Sequence, residues 1–174
     1  MKNLVNPFII LIISSTLILI AGCNTTSPPA AIPNPVVNVS LLYFDETGND
    51  LLNPDRPDAW NEHNIEIYHL KNGEKVKRFD GHLDRPKGIF IHYDETEERY
   101  KLGIRLSEHI SDGFTVTYVE FPNGQMDTLR ISAEKKSNGV LRASKFWYNN
   151  VLLFDENEYD YQDLGLYEIL KSTG

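Results

Sequence analysis

Residues 114 to 126 read FTVTYVEFPNGQM. β-branched and aromatic side chains dominate up to Phe121, and such side chains suit a pleated, half-buried surface. The run then meets Pro122-Asn123-Gly124, and Asn-Gly readily takes the positive φ that tight hairpins demand. The stretch therefore reads as a strand entering a hairpin. If the same pattern recurs along the chain, the fold is all-β.

The pattern does recur. VVNVSLLYF (36 to 44) places Val37, Val39, Leu41 and Tyr43 on one face. RYKLGIRLS (99 to 107) sets Tyr100, Leu102, Ile104 and Leu106 against Arg99, Lys101 and Arg105. NIEIYHL (64 to 70) alternates Ile65, Ile67 and His69 with Glu66, Tyr68 and Leu70. Two-residue periods are strand patterns. Turn chemistry separates them: Asn72-Gly73, the polar segment YDETEERY (93 to 100), and Asn149-Asn150. DAWNEHN (58 to 64) and SEHISDG (107 to 113) each have the composition for one helical turn. About eight or nine strands at 8- to 12-residue spacing predict an antiparallel β-sandwich over residues 36 to 174.

Upstream the chain changes character. Met1-Lys2-Asn3 carries one positive charge, and residues 4 to 20 are mostly Leu, Ile and Val. A positive start and an apolar run of about 17 residues, at the lower edge of what spans a bilayer, read as a secretory signal. The other reading is an uncleaved membrane anchor, but residues 21 to 36 carry no charge that could stop transfer.

The run ends at Ile20-Ala21-Gly22-Cys23, the only cysteine of the chain, and this motif resembles the lipobox of bacterial lipoproteins. The resemblance implies cleavage of residues 1 to 22, a diacylglycerol on Cys23 and acylation of the new amino terminus. Asn24, where an aspartate would signal inner-membrane retention, implies an outer-membrane destination in an organism that has one. Residues 23 to 35 include Pro28, Pro29, Pro33 and Pro35. Such a tether extends at about 3.1 Å per residue, roughly 40 Å in all. LLYFDETGNDLLNP (41 to 54), followed by NIEIYHLKNGEKV, is also similar to the opening of small single-domain β-sandwich lipoproteins of Bacteroidota. That likeness implies the fold and carries no catalytic residue across.

Charge narrows the function. The formal net charge is -8, and the leader removes Lys2 but no acid, so the domain is more negative still. A nucleic-acid partner needs a basic face, and broad adhesion to anionic lipid needs one too. With no cysteine beyond Cys23, the domain has no internal disulfide. It must be held by its core, and a monomer is expected.

Catalytic motifs are missing: there is no G-x-S-x-G, no H-E-x-x-H and no glycine-rich phosphate loop. His63, His69, His82, His92 and His109 form no close ligand pair, and His82-Leu83-Asp84 reads as a solvated loop. Asp45, Thr47 and Asn49 alternate as calcium ligands do. However, Asp50 stands where an EF-hand needs glycine, and Arg56 where it needs glutamate. Calcium on Asp45, Asn49 and Asp50 is thus a minor expectation beside a turn capped by Asp45. DENEYDYQD (155 to 163) reads as a solvated acidic turn.

KFWYNN (145 to 150) is the most suggestive stretch. Strand geometry must turn at least one ring of Phe146, Trp147 and Tyr148 away from the core, which makes Trp147 and Tyr148 the ligand-contact candidates. The expectation is a lipid-anchored, non-enzymatic envelope module without a cofactor, binding a glycan or an envelope protein. A small hydrolase using paired carboxylates and a purely structural lipoprotein are the alternatives.

Overall fold

The computed structural model describes residues 38 to 137, 141 to 158 and 166 to 172. The leader, Cys23 and the tether lie outside the described residues, as does the acidic segment from Tyr159 on. The strands are β1 (Asn38–Asp45), β2 (Glu66–Lys71), β3 (Glu74–Lys77), β4 (Ile89–Asp94), β5 (Arg99–Arg105), β6 (Phe114–Glu120), β7 (Met126–Lys135), β8 (Leu141–Tyr148), β9 (Val151–Asp155) and β10 (Leu166–Lys171). Among the described residues there is no helix. The 58 to 64 segment does make one turn, closed by the Ile65 N–H donating to the Asn61 carbonyl at 3.1 Å. SEHISDG makes none: Asp112 and Gly113, at φ 51° and 80°, form a tight turn into β6.

The strands form two sheets that share one core. A four-stranded sheet runs β10-β1-β5-β4 and a six-stranded sheet runs β3-β2-β6-β7-β8-β9. The chain is an all-β sandwich. Ten strands are present among the described residues where the sequence suggested eight or nine, because the short, exposed β3 leaves little apolar pattern to read. One pairing departs from the antiparallel expectation: β10 runs parallel to β1, from Ser40 opposite Leu166 to Asp45 opposite Lys171. β9 lies in the other sheet, so β10 is not the return strand of a hairpin and is free to pair parallel.

Alternation builds the core as the sequence implied. Val39, Leu41, Tyr43, Ile89, Leu102 and Ile104 point in from the smaller sheet, and Ile67, Val119, Leu129, Ile131, Phe146 and Tyr148 from the larger. The loop between β1 and β2 adds Leu51, Leu52 and Trp60 to the core. Trp60 stacks on Phe121 with centroids 4.3 Å apart, and Tyr43 meets Phe121 edge-on at 5.1 Å.

Beside these rings sits a buried polar knot. Asp127 accepts from the Tyr148 hydroxyl, from Asn149 Nδ2 at 2.8 Å and from Lys171 Nζ at 2.5 Å. Burial pushes the pKa of both Tyr43 and Tyr148 up, which keeps the hydroxyls protonated. The knot fixes β10 of one sheet against β7 and β8 of the other.

Candidate functional site

β8 decides which aromatic ring is outward. Its Phe146 and Tyr148 are buried and its Trp147 is half-buried on the opposite face. Tyr148 is therefore a core residue bonded to Asp127, and Trp147 is the ring on the outer face. A bulge changes the register of β7 against β8 between Ser132 and Ala133. It lets Ala143 and Phe146 both face inward although three positions separate them.

The pairings place Trp147 in a row across the sheet. Val116 lies opposite Arg130, Arg130 opposite Trp147, and Trp147 opposite Leu152. The Arg130 guanidinium lies 4.5 Å from the Trp147 ring centre and 5.0 Å from that of Phe114. Phe114 meets Trp147 edge-on at 5.8 Å. A second cluster lies further across the same sheet, on β2, β3 and β6. The Tyr68 hydroxyl donates to Glu120 at 2.7 Å, and Lys75 lies 5.1 Å from the Tyr68 ring centre and 5.8 Å from that of Tyr118. The bond to Glu120, then burial, pushes the Tyr68 pKa up. From β2 to β8 is three strand spacings, about 14 Å. The face thus offers ring surfaces, two cations, a carboxylate and hydroxyls to an extended, polar ligand.

Sequence reading found Trp147 but not its neighbours. The signal for some of them lay in FTVTYVEF, where a period of two sets Phe114, Val116, Tyr118 and Glu120 on one face. What it lacked was the register that brings Arg130 beneath Trp147.

The Asp45 loop is built differently from a cation site. Asp45 Oδ1 accepts from the Thr47 N–H at 2.9 Å, the Thr47 hydroxyl at 2.7 Å and the Asn49 N–H at 2.9 Å. Its Oδ2 accepts from Asn49 Nδ2 at 2.9 Å and faces Arg56 at 3.4 Å. Those bonds, Thr47's first, hold the Asp45 carboxyl well below the usual carboxylate range. Asp50 caps the backbone N–H groups of Leu52 and Tyr100, each at 2.9 Å. Both carboxylate oxygens of Asp45 and of Asp50 accept from the chain's own donors, and Asn49 contributes its amide nitrogen, so all three act in shaping the turn. Among the described residues no cluster of three or more His, Cys, Asp and Glu side chains is placed to hold a metal ion.

Among the cavities are three lined by described residues. Each holds one carboxylate on its wall, Glu62, Asp84 or Asp80. None offers the facing pair that acid–base cleavage of a glycosidic bond uses.

Comparison with protein-family models, with curated proteins and with solved structures finds no match for this chain.

Proposed function

We propose that this chain is a lipid-anchored module of a bacterial cell envelope that binds a glycan across the outer face of its six-stranded sheet. The observation that carries the reading is Trp147, turned outward beside Arg130, whose guanidinium lies between the Trp147 and Phe114 rings. A sugar presents C–H faces and hydroxyls together, so it suits a surface where rings stand beside charged hydrogen-bonding groups. A purely apolar partner would strip water from the charges of Arg130, Lys75 and Glu120 and return no polar contact, at a desolvation cost. The anchor rests on the signal-like leader and Ile20-Ala21-Gly22-Cys23. Two or more acyl chains hold a protein stably at a membrane, and the outer membrane is the proposed destination in an organism that has one. No catalytic step is assigned.

The test has two arms. Cys23→Ser should leave an unprocessed precursor that takes up no labelled fatty acid, and normal processing of that variant would remove the anchor from the reading. Trp147→Ala should change stability by about 1 kcal/mol or less and weaken glycan binding by about 1 to 3 kcal/mol, read by melting and by glycan-array screening. A variant that melts as the parent does and keeps every glycan signal would show that the face is not the binding site.

A further inference from the structure

The outer aromatic face is not the only surface with unspent chemistry. The segment after β3 and before β4 carries Arg78 and Arg85, and β5 ends at Arg105. All three line one cavity of about 420 Å³, with Phe90 and Gly88 as its apolar wall. In a chain of formal net charge -8, such a grouping of cations needs a reason.

Most basic residues of this domain are compensated. Lys77 and Lys87 reach Glu66, Lys145 reaches Asp155 and Lys171 reaches Asp127. Arg105 is bound to Glu108 at 2.6 Å. Among the described residues, Arg78 and Arg85 have no carboxylate within the 4.0 Å of an ion pair. Arg85 lies 4.1 Å from the Phe90 ring centre. Arg78 is half-buried and its Nε is fully buried with no hydrogen-bond partner. Gly88 makes room for it: at φ +70°, a Cβ there would stand 2.3 Å from that Nε. Burial, then the Arg105 charge, lowers the Arg78 pKa.

Arg78 also lines an adjoining cavity of about 280 Å³ with His69, Lys71, Lys77 and Asp80. His69 is 4% exposed, and its Nε2 too is buried without a partner. Two orphaned nitrogens thus share one pair of cavities. The wall of the larger cavity carries one carboxylate, the exposed Asp84.

We propose that the Arg78–Arg85–Arg105 cavity is a binding site for a phosphate monoester. Two guanidinium groups that make no ion pair among the described residues favour a doubly charged ligand, and a phosphate monoester carries about -1.5 to -2 near neutral pH where a carboxylate carries one. The planar fork of arginine fits phosphate oxygens bidentately. Phe90 gives the organic part of the ester an apolar wall, and a cavity of this size holds a small molecule. This site is separate from the Trp147 face and does not depend on that reading. Asn38, where the described chain begins, also lines the cavity. A lipid headgroup and a soluble phosphoester are therefore the two sources to distinguish.

The experiment uses the full chain in a non-ionic detergent. Phenyl phosphate is titrated calorimetrically, with benzoate as the carboxylate control. Mixed micelles containing phosphatidic acid, against the same micelles with diacylglycerol, form the second arm. Binding of phenyl phosphate, with benzoate roughly ten-fold weaker or worse, supports a phosphate monoester site open to soluble esters. Binding of phosphatidic acid micelles alone supports the same site with a lipid source. Arg85→Ala and Arg78→Ala should each weaken whichever arm binds by roughly ten- to a hundred-fold, and Lys136→Ala should leave it unchanged. Arg85 is exposed, so its variant keeps the test intact if Arg78→Ala unfolds. Equal binding of benzoate, no binding in either arm, or undiminished binding by a folded Arg85→Ala would overturn the proposal.

Discussion

His69 shows what one alternating position can hide. Its place in the phase of Ile65 and Ile67 put it at the edge of the core, and it is buried there as a neutral ring. Burial first, then the Arg78 charge, lowers its pKa to about 4, with Lys71 and His109 acting in the same direction and only the Arg105 backbone opposing them. An unfolded histidine titrates near 6.5. Between that value and about 4 the unfolded chain binds a proton that the folded chain refuses, so stability falls as the pH falls through this window. The full loss is of the order of 3 kcal/mol. Urea titrations from pH 7 to pH 4 should show a steeper decline for the native chain than for His69→Gln. Parallel declines would mean that His69 does not titrate differently in the two states.

At the scale of the element, the β8–β9 hairpin ties local turn chemistry to the core. Asn149 and Asn150 have φ of 46° and 70°, the pair of positive values that a two-residue hairpin turn requires. Asn149 does more than turn. Its Oδ1 accepts from the Thr128 N–H at 2.7 Å, and its Nδ2 donates to Asp127. Asn150→Gly should be neutral or stabilising by a few tenths of a kcal/mol, whereas Asn150→Val should cost about 1 to 2 kcal/mol. Asn149→Gly keeps the φ but loses both bonds, and should cost about 2 kcal/mol or more. Equal costs at the two positions, by chemical denaturation, would show that the side-chain bonds contribute nothing. This element also marks how far the sequence could be read. The turn, the strand and the outward Trp147 follow from dihedral preference and a period of two, which are local. The Arg130 partner follows from cross-strand register, and the Arg78–Arg85–Arg105 cavity joins residues spread over three elements. Neither leaves a trace in the spacing along the chain. Likewise the alternate oxygens of Asp45, Thr47 and Asn49 look the same for a calcium loop and for a capped turn. Only the direction of the donors tells them apart.

At the scale of the whole molecule, the sandwich depends on its last strand. β1 pairs with β5 on one side and with β10 on the other, so β10 covers an edge that would otherwise offer unpaired backbone groups for aggregation. β10 also adds Ile169 to the core, sets Tyr167 5.3 Å from Phe146 and delivers Lys171 to Asp127. With no cysteine in residues 36 to 174, no disulfide assists this closure. Two variants separate the edge from the charge. Deleting residues 166 to 174 should abolish the cooperative unfolding transition and cause aggregation, since edge, apolar cover and counter-ion go together. Lys171→Met keeps the strand and strands only the Asp127 charge, at a cost of about 3 to 5 kcal/mol. Adding Asp127→Asn to Lys171→Met should recover much of that loss, because the amide removes the uncompensated buried charge yet keeps an oxygen to accept from its neighbours. Equilibrium denaturation of the single and double variants reads the coupling directly. If Lys171→Met is as stable as the parent, the ion pair does not hold the sheets together, and β10 is retained by its backbone pairing with β1 and by the packing of its apolar side chains, Ile169 and Tyr167 among them.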